Sequence, residues 1–196
     1  MRPSILRPLL LLSCALLALP AAARNPTAQE RADIEQLAYK YIFALDWRDP
    51  EAYAAAFAPD GVLTYGGGQA VGREQIAQVI RDMRERAMSN LPEGSDGRGN
   101  GHAKHFISSM VIDVAEDGLS AVAQATWVLI SGVEPRIAGH GHYMDRLVKI
   151  DGEWLYASRR TYNEQSKGRE TFPFINPVTH PERYEPLLEK SAKQDR

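Results

Sequence analysis

The side chains that titrate near neutral pH are few in this chain. Its five histidines are His102, His105, His140, His142 and His180. His140 and His142 are two residues apart, which places both on one face of a strand, and His102 precedes His105 by three. Neutral imidazole is a common zinc ligand, but a zinc site takes three or four ligands, and no third ligand is set by spacing in either pair. The other use of histidine is as a base. Removing a proton from carbon needs a base that titrates near ambient pH, and imidazole, at about 6.5, is the default. The one cysteine, Cys14, lies in the N-terminal leader described below. Without it, thiolate catalysis, disulfides and cysteine metal sites are excluded. Arg159, set in a strand of aromatic and aliphatic residues, is the first hint of a site.

That strand belongs to the stretch Gly139 to Asn163, which predicts two long arms joined at Asp151-Gly152. Asp-Gly suits a two-residue type I′ turn, where both residues need positive φ. The arms are rich in strand formers: Tyr143, Leu147, Val148 and Ile150, then Trp154, Leu155, Tyr156, Thr161 and Tyr162. With Ile150 opposite Glu153, regular alternation puts His142, Met144, Val148, Leu155, Ala157 and Arg159 on one face. Arms this long exceed the usual ~5–6 residues. Such a sheet twists and curls, and a curled sheet can wrap a pocket.

Upstream, Thr27 to Glu30 reads as a capping box opening a helix to about Trp47. Ile34, Leu37, Tyr41 and Leu45 recur along it at helical spacing. Asp49-Pro50 starts a short alanine-rich helix to Phe57, ended by Pro59-Asp60-Gly61. Val62–Tyr65 and Gln69–Val71 form a small hairpin. A third helix runs from Arg73 to about Met88. Ser89 to Lys104 is a glycine-rich loop, either a lid or a solvated linker. Strands follow at His105–Val114 and Leu119–Val133, then the long hairpin. Helices first and antiparallel strands afterwards predict an α+β fold, a cone-shaped curved sheet wrapped on the N-terminal helices. The tail from Phe172 onward is expected to pack across the domain or a neighbour.

Residues 1–23 read as a secretory signal peptide: Arg2 and Arg7, an apolar run from Leu9 to Leu19, then Pro20 before Ala21-Ala22-Ala23. The apolar run is short for a membrane span. A lipoprotein signal ending at Cys14 is the alternative. Cleavage after Ala23 removes two of 23 basic residues and leaves 21 against 25 acidic, a net charge near −4. That argues against a general nucleic-acid or anionic-membrane binder. The expectation is a periplasmic or secreted protein with one domain over 24–170 and a C-terminal extension over 171–196.

The order helix, L-D-x-R-D, alanine-rich helix ending F-x-x-D-G, and late Y-x-D strand leading to D-G-x-W resembles the SnoaL-like branch of the nuclear transport factor 2 superfamily over roughly residues 28 to 164. By motif it is similar to scytalone dehydratase, bile acid 7α-dehydratase and the lindane dehydrochlorinase. That resemblance implies a cofactor-independent fold with an aspartate late in the first helix, here Asp46, and a histidine after the long loop, here His105. Tyr41 matches a tyrosine five residues before the aspartate in the bile acid enzyme. Arg159 matches an arginine five residues after the last-strand tryptophan in the dehydrochlorinase. The implied chemistry is proton abstraction by His105, oriented by Asp46, with Tyr41 as donor and Arg159 holding developing negative charge.

Each residue also has a structural reading. Asp46 pairs with Arg48 or caps the next turn. His105 is a satisfied strand histidine, Tyr41 is core, and Arg159 forms an ion pair on the outer face. Tyr65, Trp127, His142 and Tyr143 are pocket wall for substrate, or core. The function expected is a lyase or dehydratase acting on a hydrophobic hydroxylated small molecule, aromatic or polycyclic, without cofactor or metal. An isomerase using the same base and a non-catalytic periplasmic binding or assembly module are the alternatives. The exposed convex sheet face implies a homo-oligomer, trimer ahead of dimer.

Overall fold

Thr27 opens helix α1 (Ala28–Trp47) through a complete capping box. The Thr27 hydroxyl accepts from the Glu30 N–H at 3.2 Å, and the Glu30 carboxylate accepts from the Thr27 N–H at 2.8 Å. Arg24 donates twice more to that carboxylate, at 2.7 and 2.8 Å. α1 stops where Arg48 turns left-handed, φ 53°, so that the Asp49 N–H reaches back to the Ala44 carbonyl at 2.9 Å. Asp49 then caps α2 (Pro50–Ala55), with proline at its first position. This is a computed structural model, describing residues 23–66, 68–90, 103–131, 135–164 and 176–184.

The strands are β1 (Ala23–Arg24), β2 (Phe57–Tyr65), β3 (Gly68–Val71), β4 (Lys104–Ala115), β5 (Ser120–Ser131), β6 (Arg136–Ile150) and β7 (Glu153–Asn163); helix α3 spans Gly72–Ser89. They form one sheet in the order β1-β4-β5-β6-β7-β2-β3. Only β2 and β7 pair in parallel, so the sheet is mixed. β2 begins five residues earlier than the expected start at Val62. A register break between Phe57 and Val62 takes up Pro59, which has no N–H to give a ladder. The glycine-rich loop and His102 fall largely outside the described residues, and the lid reading falls there with them.

Asp151 and Gly152 both have positive φ, 50° and 86°, and Ile150 pairs with Glu153 as the turn chemistry predicts. Farther out the register departs from regular alternation. Leu147 faces Tyr156, but Arg146 faces Ser158, so Ala157 is an extra residue on β7. This bulge corrects the expected face. Arg159 turns inward opposite Asp145, while His142 and Met144 stay on the outer face. A sequence cannot show where a ladder absorbs an extra residue, because that depends on what packs on both sides.

The inner face carries Ala121, Ala123, Ala125 and Trp127 of β5 and Tyr143, Asp145 and Leu147 of β6. The small alanines leave room for Ile34, Tyr41 and Phe57, which are buried in the same core. On the outer face, His142 stacks on Tyr162 with ring centres 4.5 Å apart, and Tyr184 of the Asn176–Tyr184 segment stands edge-on to both rings.

Candidate active site

Among the described residues β4 has no strand neighbour on one side where it begins, because β1 pairs only with Val114 and Ala115. An edge N–H there needs another acceptor. Asp46, on the last turn of α1, supplies it: the His105 N–H lies 3.2 Å from both carboxylate oxygens. The same carboxylate meets the ring, with Asp46 Oδ1 2.7 Å from His105 Nδ1. One aspartate therefore holds one histidine by backbone and side chain together. A carboxylate only accepts, so Nδ1 carries a proton, and in the neutral ring the lone pair is then on Nε2. The Asp46 side chain is 4% exposed and that of His105 17%, so the imidazole keeps some exposure while the carboxylate beside it is shielded.

Apart from Asp46, the described neighbours of His105 on this face are apolar. Leu129 is its cross-strand partner, Ile107 follows it on the same face, and Trp127 lies 6.1 Å away, ring centre to ring centre. The Trp127 N–H donates to the Tyr162 carbonyl at 3.2 Å, which fixes the indole across β6. Gly141 makes that crossing possible, since a Cβ there would run into the Tyr162 carbonyl and crowd the Trp127 ring.

Arg159 and Tyr41 do not join the dyad. Arg159 is on β7, three strands from β4, or about 14 Å at ~4.8 Å per strand. Trp127 and Tyr143, 6.1 Å apart, stand between. Arg159 makes a two-pronged pair with Asp145 at 2.7 and 2.9 Å, and the two side chains are 0% and 1% exposed. Three tyrosine rings, Tyr41, Tyr143 and Tyr156, lie 4.1 Å from the guanidinium carbon. Burial raises the Asp145 carboxyl above its usual range, with Arg159 pulling the other way. Burial also penalises the arginine cation, but Asp145 together with Tyr156 and Tyr41 outweighs this and holds Arg159 protonated well above its ordinary value. The Tyr41 hydroxyl is 2.7 Å from that of Tyr53, and burial raises the pKa of both phenols, so Tyr41 can donate a hydrogen bond but is no base.

Of the expected wall residues, Trp127 and Tyr143 are on the inner face, and Tyr65 of β2 packs against the core half-buried. His142 is not with them. It faces the other side of the sheet, where its Nδ1 is 2.7 Å from Glu164 Oε1. His140 is 3.6 Å from the other oxygen of Glu164. Among the described residues no three His, Cys, Asp or Glu side chains are grouped to hold a metal ion. Two grooves, of about 370 and 640 Å³, flank α1 and α2; neither is lined by His105. Tyr53, Asp145 and Lys104 were not singled out from the sequence. Asp145 had a signal, since a buried arginine requires a counter-charge and the Y-x-D pattern contains one.

No curated protein matches the chain. Among solved structures it is similar to a protein of unknown function with a cystatin-like fold from Nostoc punctiforme, at 25% identity and TM-score 0.60, over 73% of this chain and 97% of that one. A Catenulispora acidiphila protein in complex with S-DNPA aligns at 26% identity and TM-score 0.57, over 70% and 96%. A scytalone dehydratase-like protein from Novosphingobium aromaticivorans shares the fold at 22% identity and TM-score 0.55, over 76% and 95%. The model of the SnoaL-like domain matches residues 26–160, which takes in α1, the dyad and the sheet through Arg159. The chain belongs to the SnoaL-like family, which includes polyketide cyclases and dehydratases.

Proposed function

We propose that the protein is a cofactor-independent lyase of the dehydratase type, with His105 as its base and Asp46 as the residue that orients it. The observation that carries this is the three-point hold of Asp46 on His105, which dedicates Nδ1 to the carboxylate and leaves Nε2 for substrate. In the proposed step Nε2 takes a proton from a carbon beside an electron-withdrawing group. The C–H electron pair becomes the new double bond as the C–O bond breaks. The imidazolium, stabilised by Asp46, returns its proton to the departing oxygen, so water leaves and the base is regenerated. Leu129, Ile107 and Trp127 favour an apolar, aromatic or polycyclic substrate. An isomerase would use the same base and return the proton to a different carbon. Tyr41 and Arg159 are assigned to the core beneath the site, because the aromatic row separates them from Nε2.

The test is mass spectrometry of a mixture of aromatic and polycyclic alcohols incubated with the protein, followed by His105→Ala and Asp46→Asn. Both should lower turnover by roughly 10²-fold or more with little change in substrate binding. The double variant should be scarcely worse than either. Full turnover in His105→Ala would place the chemistry elsewhere. The aromatic packing around Arg159 is what favours the second reading, a non-catalytic binding module. That reading gains if compounds bind and none is turned over.

We also propose export after cleavage at Ala23, leaving Arg24 as first residue with its Glu30 bonds intact, and assembly through the outer sheet face as a trimer, with a dimer as the alternative. N-terminal sequencing that finds Met1 on protein from cells would overturn the first. A monomer by light scattering at micromolar concentration would overturn the second.

A further inference from the structure

The last turn of α1 meets the start of β4 twice. Asp46 grips His105 as described, and the next residue of the helix meets the preceding residue of the strand: the Lys104 ammonium lies 3.3 Å from the centre of the Trp47 ring. Trp47 is 61% exposed, so burial does not explain a tryptophan there. Phe43, one turn earlier and also exposed, stacks on the indole at 5.1 Å with planes 6° apart. The two contacts run side by side. Successive strand residues point to opposite faces, so Lys104 closes the outside of the helix–strand junction while His105 faces inward. Between them runs the His105 N–H bound to Asp46, on a strand end with no strand neighbour among the described residues.

We infer that Trp47 and Lys104 are positioning residues: their cation–π contact clasps the junction from outside and keeps the Asp46 carboxylate on both the backbone and the ring of His105. The inference rests on the proposed role of His105, but its first readout does not. The His105 amide is protected from hydrogen exchange only while the junction is closed, so its exchange rate reports the junction directly. A cation–π contact at an exposed site is worth a factor of roughly 2–5 in such an equilibrium.

Exchange at the His105 amide should therefore quicken about 2–5-fold in Trp47→Leu and in Lys104→Met, while the core amides of Val114 and Tyr143 keep their rates. The double variant should match either single one, and Lys104→Arg, which keeps a cation on the ring, should restore protection. Trp47→Leu separates position from charge because it leaves the lysine in place. With a substrate in hand, the same variants should lower kcat and leave KM unchanged. Unaltered His105 exchange in both single variants, or additive effects in the double, would overturn the clasp. Failure of the base assignment looks different: His105→Ala would keep turnover while the exchange pattern stood as described.

Discussion

Asp46–His105 and Asp145–Arg159 are both acid–base pairs closed at 2.7 Å, and they sit in opposite settings. Asp145 and Arg159 are sealed by three tyrosines and pair with one another across neighbouring strands of the sheet. Asp46 and His105 join two different elements, the last turn of α1 and the start of β4, and the histidine keeps some exposure. A charge pair with no access to water can hold a fold but cannot take a proton from a visitor. A shielded carboxylate behind a reachable imidazole can do so. In this chain residue type is a poor guide to role, and position in the sheet is a better one.

The widest separation of the two pairs should come from breaking the buried one. Arg159→Ala or Asp145→Ala leaves an unmatched charge in the core and should cost about 3–5 kcal/mol, read from urea denaturation. Arg159→Met combined with Asp145→Leu should recover most of that loss. Breaking the other pair should act on turnover. His105→Ala should lose roughly 10²-fold or more in rate while its unfolding free energy in urea falls by less than the loss at the buried pair; a stability loss as large as that one would erase the distinction. Tyr53→Phe removes the hydroxyl partner of Tyr41 beneath Arg159 and should cost about 1 kcal/mol with turnover unchanged. The smallest effect sits at the far end of α1. The hydrogen bond from Arg24, and then the Thr27 N–H, hold the Glu30 carboxyl down at about 2. Its contribution to stability is therefore complete above its ordinary value of 4.5 and fades as pH falls from there toward about 2. Glu30→Gln should flatten the stability profile across that window, and an unchanged profile would mean that the cap does not depend on charge.

Local chemistry made much of this readable in advance. The Thr27 capping box, the Asp49-Pro50 restart and the Asp151-Gly152 turn each depend on a few adjacent residues, and all three are formed. The meeting of Asp46 with His105 joins residues 59 apart in sequence and followed from the family pattern rather than from any local signal. Arg159 shows the limit. Its burial could be anticipated, and Y-x-D offered a counter-charge, but that the two face each other could not be, because the bulge at Ala157 and the parallel pairing of β2 with β7 decide which way Arg159 points. His142 failed for the related reason that two neighbours in a strand face different worlds, and only the core says which is inside. Trp47 and Lys104 carried no signal, since an exposed aromatic beside a lysine is ordinary until the fold sets one over the other.

Ala157 also bears on how this chain is compared with others. It is a supernumerary residue in a ladder that is otherwise in step on both sides. A descendant that lost it would keep Asp145 opposite the same arginine and the same tyrosines inward, yet that arginine would stand one position nearer to Trp154. Counting residues from the tryptophan would then declare the two chains different at the very place where their interiors agree. Homologues of this hairpin are better aligned by which side chain faces Asp145, with a gap allowed at Ala157, than by distance along the strand.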